Sequence, residues 1–457
     1  MTRPGAGRGR GAGALGAALG WLALGQAACS GGQKGATDAA RLHGVDGQPD
    51  VSALTDASAS TDVSPAPVPD DGRPADARRD ATPGVDAKPD GPGPDAAAPC
   101  AVGPEWPCPG GTCVLATARA GEVVSIAGYD LLSVPEPPLR VASQPGRTLL
   151  SRSPTYATAP AVLYRDVLAP APLSNRLFLL HANAGTRPAK LALVVENSPG
   201  GQLAAFSVTR HAFSAPGTDL PAIGQSVLRA FLGSGAGASG VLAPGEVRLV
   251  DPGLDAVAIP PGQLVHALYE LQAEPGMRAW ITMLGAGEPS TFSYMTPPRA
   301  MRDGLSYRGT FDTPDRQVKI HDACALDTRG GVRKIRLGGN TVQLPAVGGW
   351  DDLDGSPERL YGDYGARLVV TLEPRAGDGR RLAVLLEPRS PPYAGVVEVA
   401  TGGSAPVRID VPGTGRIESL DQAALLARVP GGTTVTIVWH SPGGAVMPVD
   451  LLLVPVP

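Results

Sequence analysis

The chain reads as an all-β protein, two tandem antiparallel β-sandwich domains behind a disordered stalk. Three observations predict it. From residue 121 onward, short runs of alternating apolar and polar residues are punctuated by Pro-Gly, Gly-Gly and Asn-Ser-Pro turns, the pattern of half-buried antiparallel strands. Residues 30–99 contain no Phe, Tyr or Trp and cannot bury enough apolar surface to offset the entropy of ordering. Finally, Arg176 to Glu196 aligns without a gap with Arg367 to Glu387 at an offset of 191 residues, which predicts two related units.

At the N-terminus, Arg3, Arg8 and Arg10 precede an apolar run from Gly11 to Leu24 and then Ala27-Ala28-Cys29-Ser30, the three-part layout of a secretory signal. The run is shorter than the roughly 20 residues a membrane-spanning helix needs. Ala27-Ala28-Cys29 followed by Ser30-Gly31-Gly32 resembles the bacterial lipoprotein signal, in which cleavage precedes a cysteine that is then lipidated. The resemblance implies residues 1–29 as signal, Cys29 as the lipid attachment point, and an exported protein anchored in the cell envelope, at the outer membrane. Gln26 stands where that family prefers Leu, which leaves ordinary cleavage after Ala27 or Ala28 as the alternative.

Residues 30–99 are built from Asp, Ala, Pro, Gly, Ser and Thr, with 12 Asp against six Lys or Arg between residues 31 and 99. As flexible coil they would span roughly 45 Å. The aspartates Asp76, Asp80, Asp86, Asp90 and Asp95 do not fit the calcium-loop spacing, so a solubilising spacer is expected. With a net charge of −4 over the 457 residues and no dense basic run in the body, nucleic acid is excluded as an expected partner. The expected partners are the membrane, through the lipid, and envelope polysaccharide or protein.

Residues 100–120 open with Cys100, Cys108 and Cys113, and Cys324 follows far downstream. Four cysteines in an exported body predict two disulfides, one local and one reaching Cys324, without fixing the pairing. Their spacing lacks the paired C-x2-C of structural zinc sites, and no metal or cofactor is expected.

The body divides at this level into a first sandwich over 121–300 and a second over 301–457. Val265, Ala267, Tyr269 and Leu271 share one strand face, as do Val435, Ile437 and Trp439. In the echo Leu177 matches Leu368, Leu191 matches Leu382 and Ala192 matches Ala383, and beyond it Phe206 and Val208 match Val397 and Val399. Each half also carries a Pro-Gly turn, at Pro275-Gly276 and Pro430-Gly431. One helix is expected, from an N-cap at Asp219 to a stop at Gly233, with Leu220, Ile223, Val227, Leu228, Phe231 and Leu232 on its apolar face.

Catalytic signals are sparse. No G-x-S-x-G elbow, Walker loop or H-E-x-x-H is present. Gly233 to Gly240 reads as a connector. Among the histidines, His321-Asp322 beside Cys324 comes closest to a cluster and reads as loop; His181 and His266 read as hydrogen-bonded strand residues. The densest acidic group is Asp351, Asp352 and Asp354, next to Trp350 and near Tyr361 and Tyr364. Paired carboxylates across a cleft would suit glycoside hydrolysis, so these three are the catalytic candidates of a surface or periplasmic hydrolase. The principal expectation is a non-catalytic binding or structural role.

Several body motifs resemble secreted bacterial proteins labelled copper amine oxidase-like: RLFLLHANAG at 176–185, Ile259-Pro260-Pro261-Gly262, YRGTF at 307–311 followed by Asp315-Arg316, and YGDYGARL at 361–368. The label belongs to an N-terminal module absent here. The resemblance implies an extracellular β-rich domain, and no copper ligands carry over from it.

Overall fold

Alternating apolar sequence with frequent turns gives strands throughout. The computed structural model describes residues 100–106, 113–304, 306–375 and 378–457; the expected signal segment, Cys29, the expected stalk over 30–99 and Cys108 lie outside them. In chain order the strands are β1 (Val123–Ser125), β2 (Leu139–Ser143), β3 (Arg147–Ser151), β4 (Tyr156–Ala157), β5 (Ala161–Val167), β6 (Asn175–Asn183), β7 (Ala189–Asn197) and β8 (Ala204–Phe213). Helix α1 (Leu220–Gly233) follows, then β9 (Ser239–Leu242), β10 (Val247–Leu249), β11 (Leu264–Ala273) and β12 (Met277–Gly285). The remainder comprises β13 (Arg308–Asp312), β14 (Arg316–Ile320), β15 (Arg333–Leu337), β16 (Val347–Asp351), β17 (Ser356–Leu360), β18 (Arg367–Leu372) and β19 (Arg381–Pro388). Last come β20 (Gly395–Thr401), β21 (Val407–Val411), β22 (Gln422–Pro430), β23 (Val435–His440) and β24 (Val449–Val456).

The strands form four sheets making two sandwiches. In the first, the large sheet runs β17-β16-β13-β3-β6-β11-β8-β9 with β4 beside β6, and the small sheet runs β10-β7-β12-β5. In the second, the large sheet is β2-β14-β18-β23-β20-β21 and the small sheet β1-β22-β19-β24-β15. Taken in chain order, β3, β5 to β12 correspond one for one to β14, β15 and β18 to β24, with the same neighbours. Even the parallel pairs agree, β3 with β6 and β14 with β18, in a fold otherwise largely antiparallel. The sequence echo is therefore β6–β7 against β18–β19, in each case a strand of the large sheet followed by one of the small sheet. The Pro-Gly turns do not correspond: Pro275-Gly276 joins β11 to β12, whereas Pro430-Gly431 joins β22 to β23.

A boundary at residue 300 does not separate the sheets. Strands β13, β16 and β17 extend the first sandwich, and β1 and β2 belong to the second. The cause is one antiparallel ribbon. Residues 139–143 pair with 316–320 and 147–151 with 308–312 in a single unbroken register, Leu139 opposite Ile320 and Ser151 opposite Arg308. Between the two segments the Gln144 amide donates to the Asp315 carbonyl at 2.7 Å and the Thr313 amide to the Gly146 carbonyl at 2.8 Å. Each ribbon strand thus leaves one sandwich and enters the other.

The first core lies between its two sheets, with Leu177, Leu179 and Tyr269 facing Leu193 and Ile281. The second core, around Leu368, Val384, Ile437 and Trp439, continues through Val227, Leu228 and Phe231 of α1 to Phe178, Leu180 and Leu268 on the outer face of the first large sheet. Consequently β6 is buried at every residue; β7 is too, its Ala192 and Val194 packing with Trp280, Tyr294 and Leu353. Helix α1 begins as expected, the Asp219 carboxylate accepting from the Ala222 amide at 3.3 Å, an N-cap that satisfies an otherwise orphaned donor. The segments on either side of β1, within 113–134, cover one face of the second small sheet through Leu115, Ile126 and Leu131, which pack with Val124 of β1.

Candidate functional site

The three acidic candidates sit on the hairpin β16–β17, an insertion without a counterpart between β5 and β6, whose tip folds back on the first sandwich. Asp351 is 1% exposed. Its Oδ2 accepts from Arg308 Nε at 2.9 Å and its Oδ1 from the Leu353 amide at 3.1 Å. Arg308 is itself fully buried, donates to the Ala300 carbonyl at 2.9 Å, and has Asp354 2.8 Å from Nη2. Asp352 accepts from Arg165 Nε at 3.0 Å, and Arg165 lies over the Trp280 ring, 5.3 Å from its centroid. Leu353, between them, packs with Trp280, Tyr294 and Val162. Each candidate carboxylate is thus held by an arginine. Glu358 on β17 is likewise bonded by Arg302. Burial raises the Asp351 pKa and the Arg308 charge opposes the rise.

The hairpin does bring one acid near another. Asp352 lies close enough to Asp166 of β5 to help raise the latter's pKa, burial being the larger cause. Asp166 Oδ2 accepts from Thr310 Oγ1 at 2.5 Å, and Tyr164 bonds the same hydroxyl at 2.6 Å. Sequence reasoning missed Asp166, which reads locally as the polar end of a strand; only the β12–β5 pairing and the distant hairpin place it here. Trp350, 44% exposed, stands on β16. Tyr361 packs on Tyr307 with ring centroids 5.4 Å apart, and Tyr364 donates to the Ala445 carbonyl at 2.8 Å.

A second arrangement resembles a nucleophile and base. His181 bonds Ser151 through Nε2 and the Pro154 carbonyl through Nδ1, both at 2.8 Å. Both residues are completely buried, and burial pushes the imidazole down to about 4. With a backbone carbonyl where a carboxylate would orient the ring, and no path to solvent, this is a core hydrogen bond. His266, also pushed to about 4 by burial, bonds the Leu179 carbonyl at 2.7 Å.

Of the cysteines, Cys100 is bonded to Cys324, with Cα atoms 5.3 Å apart across 224 residues. Cys113 is buried in the layer over the second small sheet and has no disulfide partner among the described residues; the expected second bridge, to Cys108, lies outside them. Next to Cys324, a cavity of about 430 Å3 opens between the ends of β14 and β18 and the β22–β23 turn. Lys319, His321, Asp322, Glu373 and Arg375 line it. His321-Asp322, expected as loop, form the turn after β14 and contribute to this wall.

No family model matches this chain. No curated protein matches it either. Among solved structures, the chain is similar to the CUB1-EGF-CUB2 region of human MASP-1/3, at 10% identity over 64% of this chain and 98% of that one, with a TM-score of 0.16. A Paenibacillus xanthan lyase gives 12% identity over 73% and 27%, TM-score 0.15. The secreted serine protease VesC of Vibrio cholerae gives 12% over 69% and 50%, TM-score 0.14.

Proposed function

We propose that this chain is a membrane-tethered envelope or surface lipoprotein with a non-catalytic binding or structural role. The observation that carries the non-catalytic part is the pairing of Asp351, Asp352 and Asp354 with Arg308 and Arg165. A general acid must keep a proton to give and a nucleophile must reach its substrate; these carboxylates are committed to fixing the hairpin. The tether rests on the Ala27-Ala28-Cys29 site and the aromatic-free spacer behind it.

Fractionation tests the tether. The wild-type chain should sediment with membranes, and Cys29→Ala should move it to the soluble fraction. Mass spectrometry of a mature N-terminus free of acyl chains would overturn lipidation. The hydrolase alternative draws on the Asp166–Asp352 juxtaposition. Turnover of an envelope polysaccharide, abolished by Asp166→Asn and by Asp352→Asn, would establish it against the reading proposed.

A further inference from the structure

We infer that the cavity beside Cys324 is a binding site for a small hydroxylated molecule bearing one anionic group, a carboxylate or a phosphate. This deepens the binding role proposed above and rests on it.

The distribution of charge around the cavity supports an anion. Asp322 is paired at 2.6 Å with Arg140, which lies outside the lining, and both of these side chains are more than half exposed. Lys319 and Glu373 face each other at 3.8 Å with both side chains more than half exposed, a loose pair of little strength. Arg375 remains. Its backbone is fixed, the amide donating to the Leu326 carbonyl at 2.7 Å, while its guanidinium has no carboxylate partner among the described residues. A guanidinium presents a planar fork of N–H donors matched to carboxylate and phosphate oxygens.

The neighbouring groups supply the rest. The Ala323 amide donates to His321 Nδ1 at 3.2 Å, so the neutral ring carries its proton on Nε2 as a further donor. Thr371 and Thr434 provide hydroxyls and Glu373 an acceptor for ligand hydroxyls. No Phe, Tyr or Trp lines the cavity, so recognition depends on charge and hydrogen bonds rather than on ring stacking. The volume falls within the range of about 300–1,000 Å3 usual for small-molecule sites. The walls are preformed: Cys324 is fixed by its disulfide, and the Gly432 amide donates to the Pro374 carbonyl at 2.6 Å, which limits the ordering cost of binding.

Calorimetric titration of the purified full-length chain at low salt with glucuronate, glucose 6-phosphate and glucose tests the site. At least one of the two anions should bind saturably and glucose should not. Arg375→Ala should weaken that binding by about tenfold or more, and Arg375→Lys by less, since an ammonium keeps the charge without the fork. Neither variant should change the melting temperature. Binding of glucuronate alone assigns a carboxylate, and of glucose 6-phosphate alone a phosphate. Absence of saturable binding by both anions, equal binding of glucose, or indifference to Arg375→Ala overturns the inference. Those results would leave the release of Cys29→Ala from membranes unaffected, so the two proposals fail separately.

Discussion

Glu387 on β19 stands directly opposite Asp450 on β24, and both are completely buried. Arg336 takes Asp450 with two hydrogen bonds, at 2.9 and 3.2 Å. Glu387 has neither oxygen hydrogen-bonded, and its nearest cation, Arg389, is 3.9 Å away. Burial first and the Asp450 charge second push its pKa up to about 8. Because the folded value exceeds that of a free glutamate, near 4.3, the folded state binds the proton more tightly. That contribution is full below the free value and fades as pH rises toward about 8. Glu387→Gln, a neutral isostere, should therefore melt higher than wild type by a margin that widens from pH 5 to pH 8. Fluorimetric melting across that range checks this, and a margin independent of pH would refute it. The sequence marks Glu387 only as the counterpart of Glu196 in the internal echo. Glu196 is satisfied by Trp280 Nε1 at 2.8 Å; that its counterpart faces a second carboxylate follows from the β19–β24 register, which no local pattern encodes. Removing a partner from the buried Arg308–Asp351 pair is the costlier change: Arg308→Ala should lose about 3–5 kcal/mol, because Asp351 would stay buried without its cation, as chemical denaturation would measure.

Among the elements, helix α1 was readable to within a residue, since its cap and its apolar spacing are local. Of the β16–β17 hairpin, which carries Gly348 and Gly349, the sequence showed only the acidic group beside Trp350. These glycines lie inside β16 and differ in consequence. A Cβ on Gly349 would stand 2.3 Å from the Thr310 carbonyl oxygen and 2.4 Å from Phe311, whereas one on Gly348 would meet nothing within 4 Å. Gly349→Ala should destabilise the chain by about 1–3 kcal/mol through forced displacement of β13, and Gly348→Ala should stay within about 0.5 kcal/mol of wild type. Denaturant titration of the two variants separates a close strand approach from a mere preference for glycine in a turn; equal effects would refute the packing argument. The ribbon of 139–151 with 308–320 escaped the sequence altogether. Its strands lie 169 residues apart, and alternation within a strand carries no information about which distant strand it meets.

At the scale of the whole molecule, the all-β class and the twofold repetition were legible because strand period and internal similarity are properties of the chain itself. The division at residue 300 was not, since the ribbon passes each sandwich's border strand to the other. The echo's two leading arginines show the result: Arg176 donates to Asp315 at 2.8 and 3.2 Å, and the Arg367 amide donates to the same carboxylate at 2.8 Å. The disulfide adds a covalent tie over a 224-residue separation. Replacing Cys100 and Cys324 together by Ser should cost about 2–4 kcal/mol, and non-reducing peptide mapping should recover the two cysteines in one linked species; linkage of Cys100 to Cys108 or Cys113 instead would contradict the structure. The same bond decides how the molecule carries tension. A pull on the chain ahead of Cys100 passes through sulfur to Cys324 and bypasses residues 101–323, so every strand of the first sandwich except β16 and β17 hangs in an unloaded loop. A molecule gripped in the cavity beside Cys324 would be joined to the chain ahead of Cys100 by covalent bonds over nearly the whole distance, and reduction would place residues 101–323, with the strands they carry, in the line of force.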